Sequence, residues 1–165
     1  MPDLEVVILV GLPGAGKSTF YRARFSDTHV QVSKDLMPRS ARHKTARQLR
    51  QIGAALAEGR SVVIDNTNVT RHDRAPIIDT AHAHGARVVG CFFLSSLRES
   101  QRRNAGRQGR ACVPDAAIRA FARRLERPSW DEGFDALYAV RTLDDGDFAV
   151  EPYRPPAPRG DAPHG

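Results

Sequence analysis

Apolar residues enter this chain as short runs, each followed by a longer stretch in which they recur every three or four positions. Leu4 to Val10 is the first run, broken only by Glu5 and rich in β-branched residues, the pattern of a strand covered on both sides within a parallel sheet. Gly16 to Phe25 reads as the first helix, and Val30 to Val32 as a short second strand that runs out into Ser33, Lys34 and Asp35. Beyond Pro38, the segment Ala41 to Glu58 carries Leu49, Ile52 and Leu56 on a 3.6-residue stripe with Ala46, Ala55 and Ala57 around them, and Gly59 stops it. Ser61 to Asp65 is a third strand that terminates in a carboxylate, followed by Asn66, Thr67 and Asn68. Thr70 or Asp73 caps a helix that runs to His84, and Arg87 to Leu94 is a fourth strand. Ser95 or Ser96 caps a further helix to about Asn104. The glycine-broken, cationic run Ala105 to Arg110 then has the composition of a lid, expected over about 104–114. Pro114 and Asp115 open a helix over Ala116 to Arg127, Pro128 ends it, and Phe134 to Thr142 is the last strand, near the sheet edge. Phe92, Phe93 and Phe121 read as core, and Trp130 as the anchor that holds the chain ahead of that strand. From Glu151 onward five prolines in fifteen residues leave nothing to bury, so a disordered tail is expected over 151–165 and a single folded domain over 1–150.

Strand and helix alternate throughout, which predicts parallel pairing and right-handed crossovers: a three-layer α/β sandwich of about five parallel strands, helices on both faces and a small lid. Ligands in such sheets gather beyond the carboxyl ends of the strands. One such end carries Gly11-Leu12-Pro13-Gly14-Ala15-Gly16-Lys17-Ser18-Thr19, the pattern G-x-x-x-x-G-K-[ST] between a strand and a helix. Its glycines let the backbone curl with N–H groups turned inward, a concavity for anionic oxygens at the positive end of the helix that follows. Gly11, Pro13, Gly14, Ala15, Gly16, Lys17, Ser18 and Thr19 are therefore the expected binding loop for ATP, with Lys17 reaching the β- and γ-phosphates and the Ser18 hydroxyl holding Mg²⁺.

A chain of 165 residues suits one domain and leaves no room for a second catalytic one. The acidic opening Met1 to Glu5 and the shortness of the apolar run behind it predict neither a secretory signal nor a membrane helix, hence a cytoplasmic protein with no membrane partner. Cys91 and Cys112 form neither a disulfide framework nor a metal spacing, and read as free thiols. The net charge of +6 and a pI near 10.0 favour an anionic partner. Nine arginines lie between Arg98 and Arg127 against three acids, and five basic residues between Arg39 and Arg50 meet none. Because 22 of the 25 basic residues are Arg, a compositional drift that decorates solvated faces is the competing explanation.

Two carboxylates carry the candidate chemistry. Asp65, at a strand end, fits the group that holds Mg²⁺ directly or through water; its competing role is to cap the turn that follows. Asp35, at the tip of the second strand, faces the γ-phosphate from the side where an attacking hydroxyl must arrive, and in-line transfer needs a base there. Arg107 and Arg110, with Arg103 next, are the lid groups able to clamp oxygens on which charge develops.

These residues resemble the 5′-kinase domain of polynucleotide kinases of the phage and animal DNA-repair type, and similar bacterial P-loop kinases. The likeness runs from the Gly-Leu-Pro-Gly-Ala-Gly-Lys-Ser-Thr-Phe loop through Val32-Ser33-Lys34-Asp35 and Val63-Ile64-Asp65-Asn66-Thr67-Asn68. It continues through Arg103-Asn104, Arg107 and Val113-Pro114 to Glu132-Gly133-Phe134. The resemblance implies that Asp35 is the general base, Lys17 and Ser18 the phosphate and Mg²⁺ ligands, and Arg107 the lid arginine over the transferred phosphate. The family also places an arginine a few residues after its aspartate, on the phosphate 3′ to the acceptor hydroxyl. Arg39, four residues on and behind Pro38, or Arg42 stands there in this chain. Asp35, Arg39, Arg42, Asp65 and Asn66 thus make up the expected acceptor site. The resulting expectation is an ATP- and Mg²⁺-dependent kinase acting on the 5′-hydroxyl end of a nucleic acid. A small-metabolite or nucleoside kinase on the same scaffold is the alternative, and a non-catalytic nucleotide switch the third reading.

Overall fold

The computed structural model describes residues 3–107 and 112–154. Among these residues six strands form one sheet in the order β2-β3-β1-β4-β5-β6. They are β1 (Glu5–Val10), β2 (His29–Val32), β3 (Ser61–Ile64), β4 (Arg87–Phe93), β5 (Ala136–Thr142) and β6 (Phe148–Pro152). The first five pair in parallel, and β6 runs antiparallel on β5 with Val140 opposite Val150. The helices are α1 (Lys17–Arg24), α2 (Lys44–Ala57), α3 (Arg71–Ala83), α4 (Leu97–Ala105) and α5 (Asp115–Arg124).

The apolar run of β1 is explained by burial on both faces. Val6, Ile8 and Val10 join Ile52 and Leu56 of α2 and Ile77 and Ile78 of α3 in one layer. Val7 and Leu9 join Phe20 of α1, Phe93 and Phe148 in the other. Phe20 is the hub of this second layer, with edge-on rings at Phe25, Phe93 and Phe148 5.1–5.7 Å away.

Several boundaries differ from the sequence reading, each for a local reason. α2 starts at Lys44, three residues later than expected, because His43 adopts a left-handed conformation (φ 56°). α5 ends at Arg124, where Leu125 turns extended and the Glu126 N–H donates to Val69 O at 2.7 Å. The boundary expected after residue 150 falls inside β6. Tyr153 is buried with its ring 5.4 Å from that of Phe92, and its N–H donates to Leu137 O, so residues 151–153 belong to the sheet. The rest of the expected tail, 155–165, and the middle of the expected lid, 108–111 with Arg110, lie outside the described residues. Trp130, expected as the anchor ahead of β5, is 50% exposed; the aromatic buried there is Phe134, packed against the bare backbone of Gly90. Phe121 is only partly buried and lines a cleft rather than the core. Among the described residues no helix is long and apolar enough to cross a membrane.

Candidate functional site

The strand order sets the site. β3 lies beside β1, so the carboxylate that follows β3 meets the helix that follows β1: Ser18 Oγ donates to Asp65 Oδ2 at 2.7 Å. Gln31, projecting from β2 on the far side of β3, donates to the same oxygen at 2.8 Å. Asp65 is 5% exposed, and its oxygens are held where the strands end.

The loop between β1 and α1 is braced from two directions. Gly14 has φ +81°, and a Cβ there would stand 2.5 Å from the Ser100 carbonyl oxygen, so α4 packs directly on the loop backbone. From the other side, the Gly11 N–H donates to Thr67 O at 3.1 Å and the Asn68 amide donates to Leu9 O at 2.7 Å. The Asn66-Thr67-Asn68 segment is therefore a clasp that fastens the end of β3 to the mouth of the loop. Lys17 is folded into this loop, its ammonium donating to Gly11 O at 3.0 Å and Leu12 O at 2.7 Å. Burial pushes its pKa down to about 8; the charges of Asp65 and Asp35 oppose that shift, and the charge of Arg107 adds to it.

Asp35 sits on the single turn of 3₁₀ helix Lys34–Leu36 at the tip of β2, exposed to solvent. It lines, with Lys17, Ser18, Asp65, Asn66, Arg103 and Arg107, one cleft of about 930 Å³ at the carboxyl ends of the strands. The turn is held by Asn66, whose Oδ1 accepts from the Lys34 N–H at 2.9 Å and from Ser33 Oγ at 3.3 Å. Asn66, expected at the acceptor site, lines that cleft, and its side chain also bonds the turn that carries Asp35 and Gln48 of α2.

Arg103 Nη1 on α4 points at Ala15 O (3.5 Å) and Ser95 Oγ (3.3 Å), at the rim of the phosphate loop. Arg107 follows α4, its N–H donating to Asn104 O, and Asn104 bonds both the N–H and the carbonyl of Val113 across the segment between them. Arg39 and Arg42 are exposed and do not line the cleft.

Two buried residues went unread in the sequence. Gln48 is 2% exposed beneath Asn66. Arg74 of α3 is fully buried and paired with Glu132 at 2.8 and 3.0 Å, while its remaining donors reach Asn68 O and Glu126 O. Glu132 also accepts from the Ser129 N–H, so the late Glu-Gly-Phe element supplies the counter-ion of a buried brace behind the clasp. A signal for both buried residues was present: Gln48 stands four and eight residues ahead of Ile52 and Leu56, and Arg74 three and four ahead of Ile77 and Ile78, polar groups on an apolar stripe.

The donor set suits Mg²⁺. Ser18 and Asp65 offer hard oxygens at the mouth of a loop built for phosphate, as that ion prefers. Cys91 and Cys112 are both free, and burial pushes the Cys91 thiol up to about 12.

Comparison with known proteins gives the following. The sequence model described as AAA domain matches residues 6–128. A bifunctional polynucleotide phosphatase/kinase of Schizosaccharomyces pombe is 30% identical over 141 residues, 82% of this chain and 33% of that protein. The chain thus spans about a third of the length of that relative. The crystal structure of a fungal RNA kinase superposes with a TM-score of 0.65 at 16% identity over 85% of this chain and 38% of its own. A gluconokinase from Sinorhizobium meliloti 1021 superposes with a TM-score of 0.59 at 21% identity over 83% and 82%.

Proposed function

The chain belongs to the AAA-domain family and carries the P-loop kinase fold, and from that premise we propose that it transfers the γ-phosphate of ATP to the 5′-hydroxyl end of a nucleic acid. The observation that carries the reading is Asp35, a solvent-facing carboxylate across one cleft from the Lys17 loop and the Ser18–Asp65 pair. In the transfer, Asp35 accepts the proton of the acceptor hydroxyl as its oxygen bonds to the γ-phosphorus. The bond from that phosphorus to the bridging oxygen breaks and ADP leaves. Lys17, Arg103 and Arg107 neutralise the oxygens on which charge gathers. Ser18 and Asp65 would hold Mg²⁺, which when bound neutralises further phosphate charge.

The phosphatase/kinase relative and the basic composition support a nucleic-acid acceptor. One observation favours a small-metabolite acceptor instead: Arg39 and Arg42, the groups expected on the acceptor phosphate, stand outside the cleft lining. An acceptor panel with γ-labelled ATP separates the two. Label on 5′-hydroxyl oligonucleotides, and none on free sugars or sugar acids, is the expected result; label on a sugar or nucleoside alone rejects the nucleic-acid acceptor.

A further inference from the structure

We propose that Gln48, buried on α2 and outside every recognisable motif, is a positioning residue for the base: it fixes the Asp35 carboxylate through Asn66 and Ser33. This rests on the reading of Asp35 as the group that takes the acceptor proton.

The hydrogen-bond directions leave one arrangement. The Lys34 main-chain N–H can only donate, so the Asn66 atom 2.9 Å from its nitrogen is the oxygen, and the other terminus of that amide is the NH₂. That NH₂ must find an acceptor, and it meets Gln48 Oε1. At the other end, Ser33 Oγ accepts from the Asp35 N–H at 3.1 Å while donating its own hydrogen to Asn66 Oδ1 at 3.3 Å. A continuous chain therefore runs from the Asp35 main chain to α2, through Ser33, which is 4% exposed, to Gln48, which is 2% exposed.

Asp35 needs such support. Among the described residues its carboxylate accepts no hydrogen bond and forms no ion pair, so only the backbone of a three-residue turn aims it. α2 supplies the rigid end, because Ile52 and Leu56, one and two helical turns beyond Gln48, are locked in the core under β1 and β3. A misplacement of about 1 Å at a reacting group is enough to cost on the order of 10²-fold in rate, so a network that tethers one turn to a packed helix has kinetic consequences.

The test is a double-mutant cycle on transfer to a 5′-hydroxyl oligonucleotide, with ATP affinity and thermal melting measured on each protein. Gln48→Met keeps the volume and removes the acceptor oxygen. The expected result is a kcat lower by about 10- to 100-fold with ATP affinity within twofold, and no further loss when Gln48→Met is added to Asp35→Asn. A kcat within twofold of the parent, or an equal loss in the Asp35→Asn background, overturns the proposal. If Gln48→Met does not melt cooperatively, Ser33→Ala cuts the same chain one link from Asp35 and is read by the same criteria. Should Asp35→Asn itself leave transfer unchanged, the assignment of the base fails, a result distinct from failure of the positioning role.

Discussion

Lys17 has a titration that its task makes visible. Its depressed pKa, about 8, means that the folded protein without nucleotide releases the proton well before an exposed lysine does. Between that value and the ordinary 10.5 the unfolded chain binds more protons than the folded one, so this group makes the free protein more stable as pH rises through that window. Nucleotide affinity moves the opposite way, since phosphate oxygens need the ammonium. ATP affinity is expected to be flat below about pH 7.5 and to fall by up to about tenfold per pH unit above 8, a step that titration calorimetry reads and that Lys17→Ala lacks. The phosphate-loop residues and Asp65 were legible because their chemistry is written in a local pattern. Gln48, Arg74 and the pairing of Glu132 were not, because the partners lie 18 to 58 residues apart and only the fold brings them together.

At the scale of elements, the site is a set of strand ends fastened to one another. The clasp 66–68 ties β3 to the loop after β1, and the buried Arg74–Glu132 pair ties α3 to the segment ahead of β5. Replacing Arg74 by Met strips Glu132 of its counter-ion while leaving it 4% exposed on the side chain, a change worth about 3–5 kcal/mol. Urea melts should show that loss. An exposed pair such as Arg71–Asp131 should by contrast shift the midpoint little. The sequence predicted five of the six strands: central parallel strands buried on both sides announce themselves as continuous apolar runs, and the short edge strand β2 still shows Val30 and Val32 alternating with Gln31. β6 escaped for a physical reason: an antiparallel edge strand is half solvated, so Glu151 and Pro152 sit within it without harm, and its composition reads as tail.

For the whole molecule, the question is what a net charge of +6 is for. If the arginines of α4 and α5 meet a nucleic-acid backbone, oligonucleotide affinity should fall linearly on a log–log plot with salt. The expected slope is about 0.9 per phosphate neutralised on duplex and 0.7 on single strands. A salt-insensitive acceptor affinity points to the small-metabolite kinase and to arginines that merely decorate solvated faces. The architecture that brings the phosphate loop, Asp65 and Asp35 to one cleft was legible from three sequence-distant features. The arginines that face that cleft were legible in part: Arg103 and Arg107 line it as expected of the lid groups, while Arg39 and Arg42, expected at the acceptor, do not. In the proposed transfer, the carboxylate at position 35 takes a proton from an alcohol facing a cradled triphosphate. Single-turnover transfer from γ-labelled ATP to a 5′-hydroxyl oligonucleotide, compared between the parent and Asp35→Asn, tests it most directly. The expected rate in Asp35→Asn is lower by about 10²–10⁴-fold with ATP affinity unchanged; an undiminished rate there rules out Asp35 as the base.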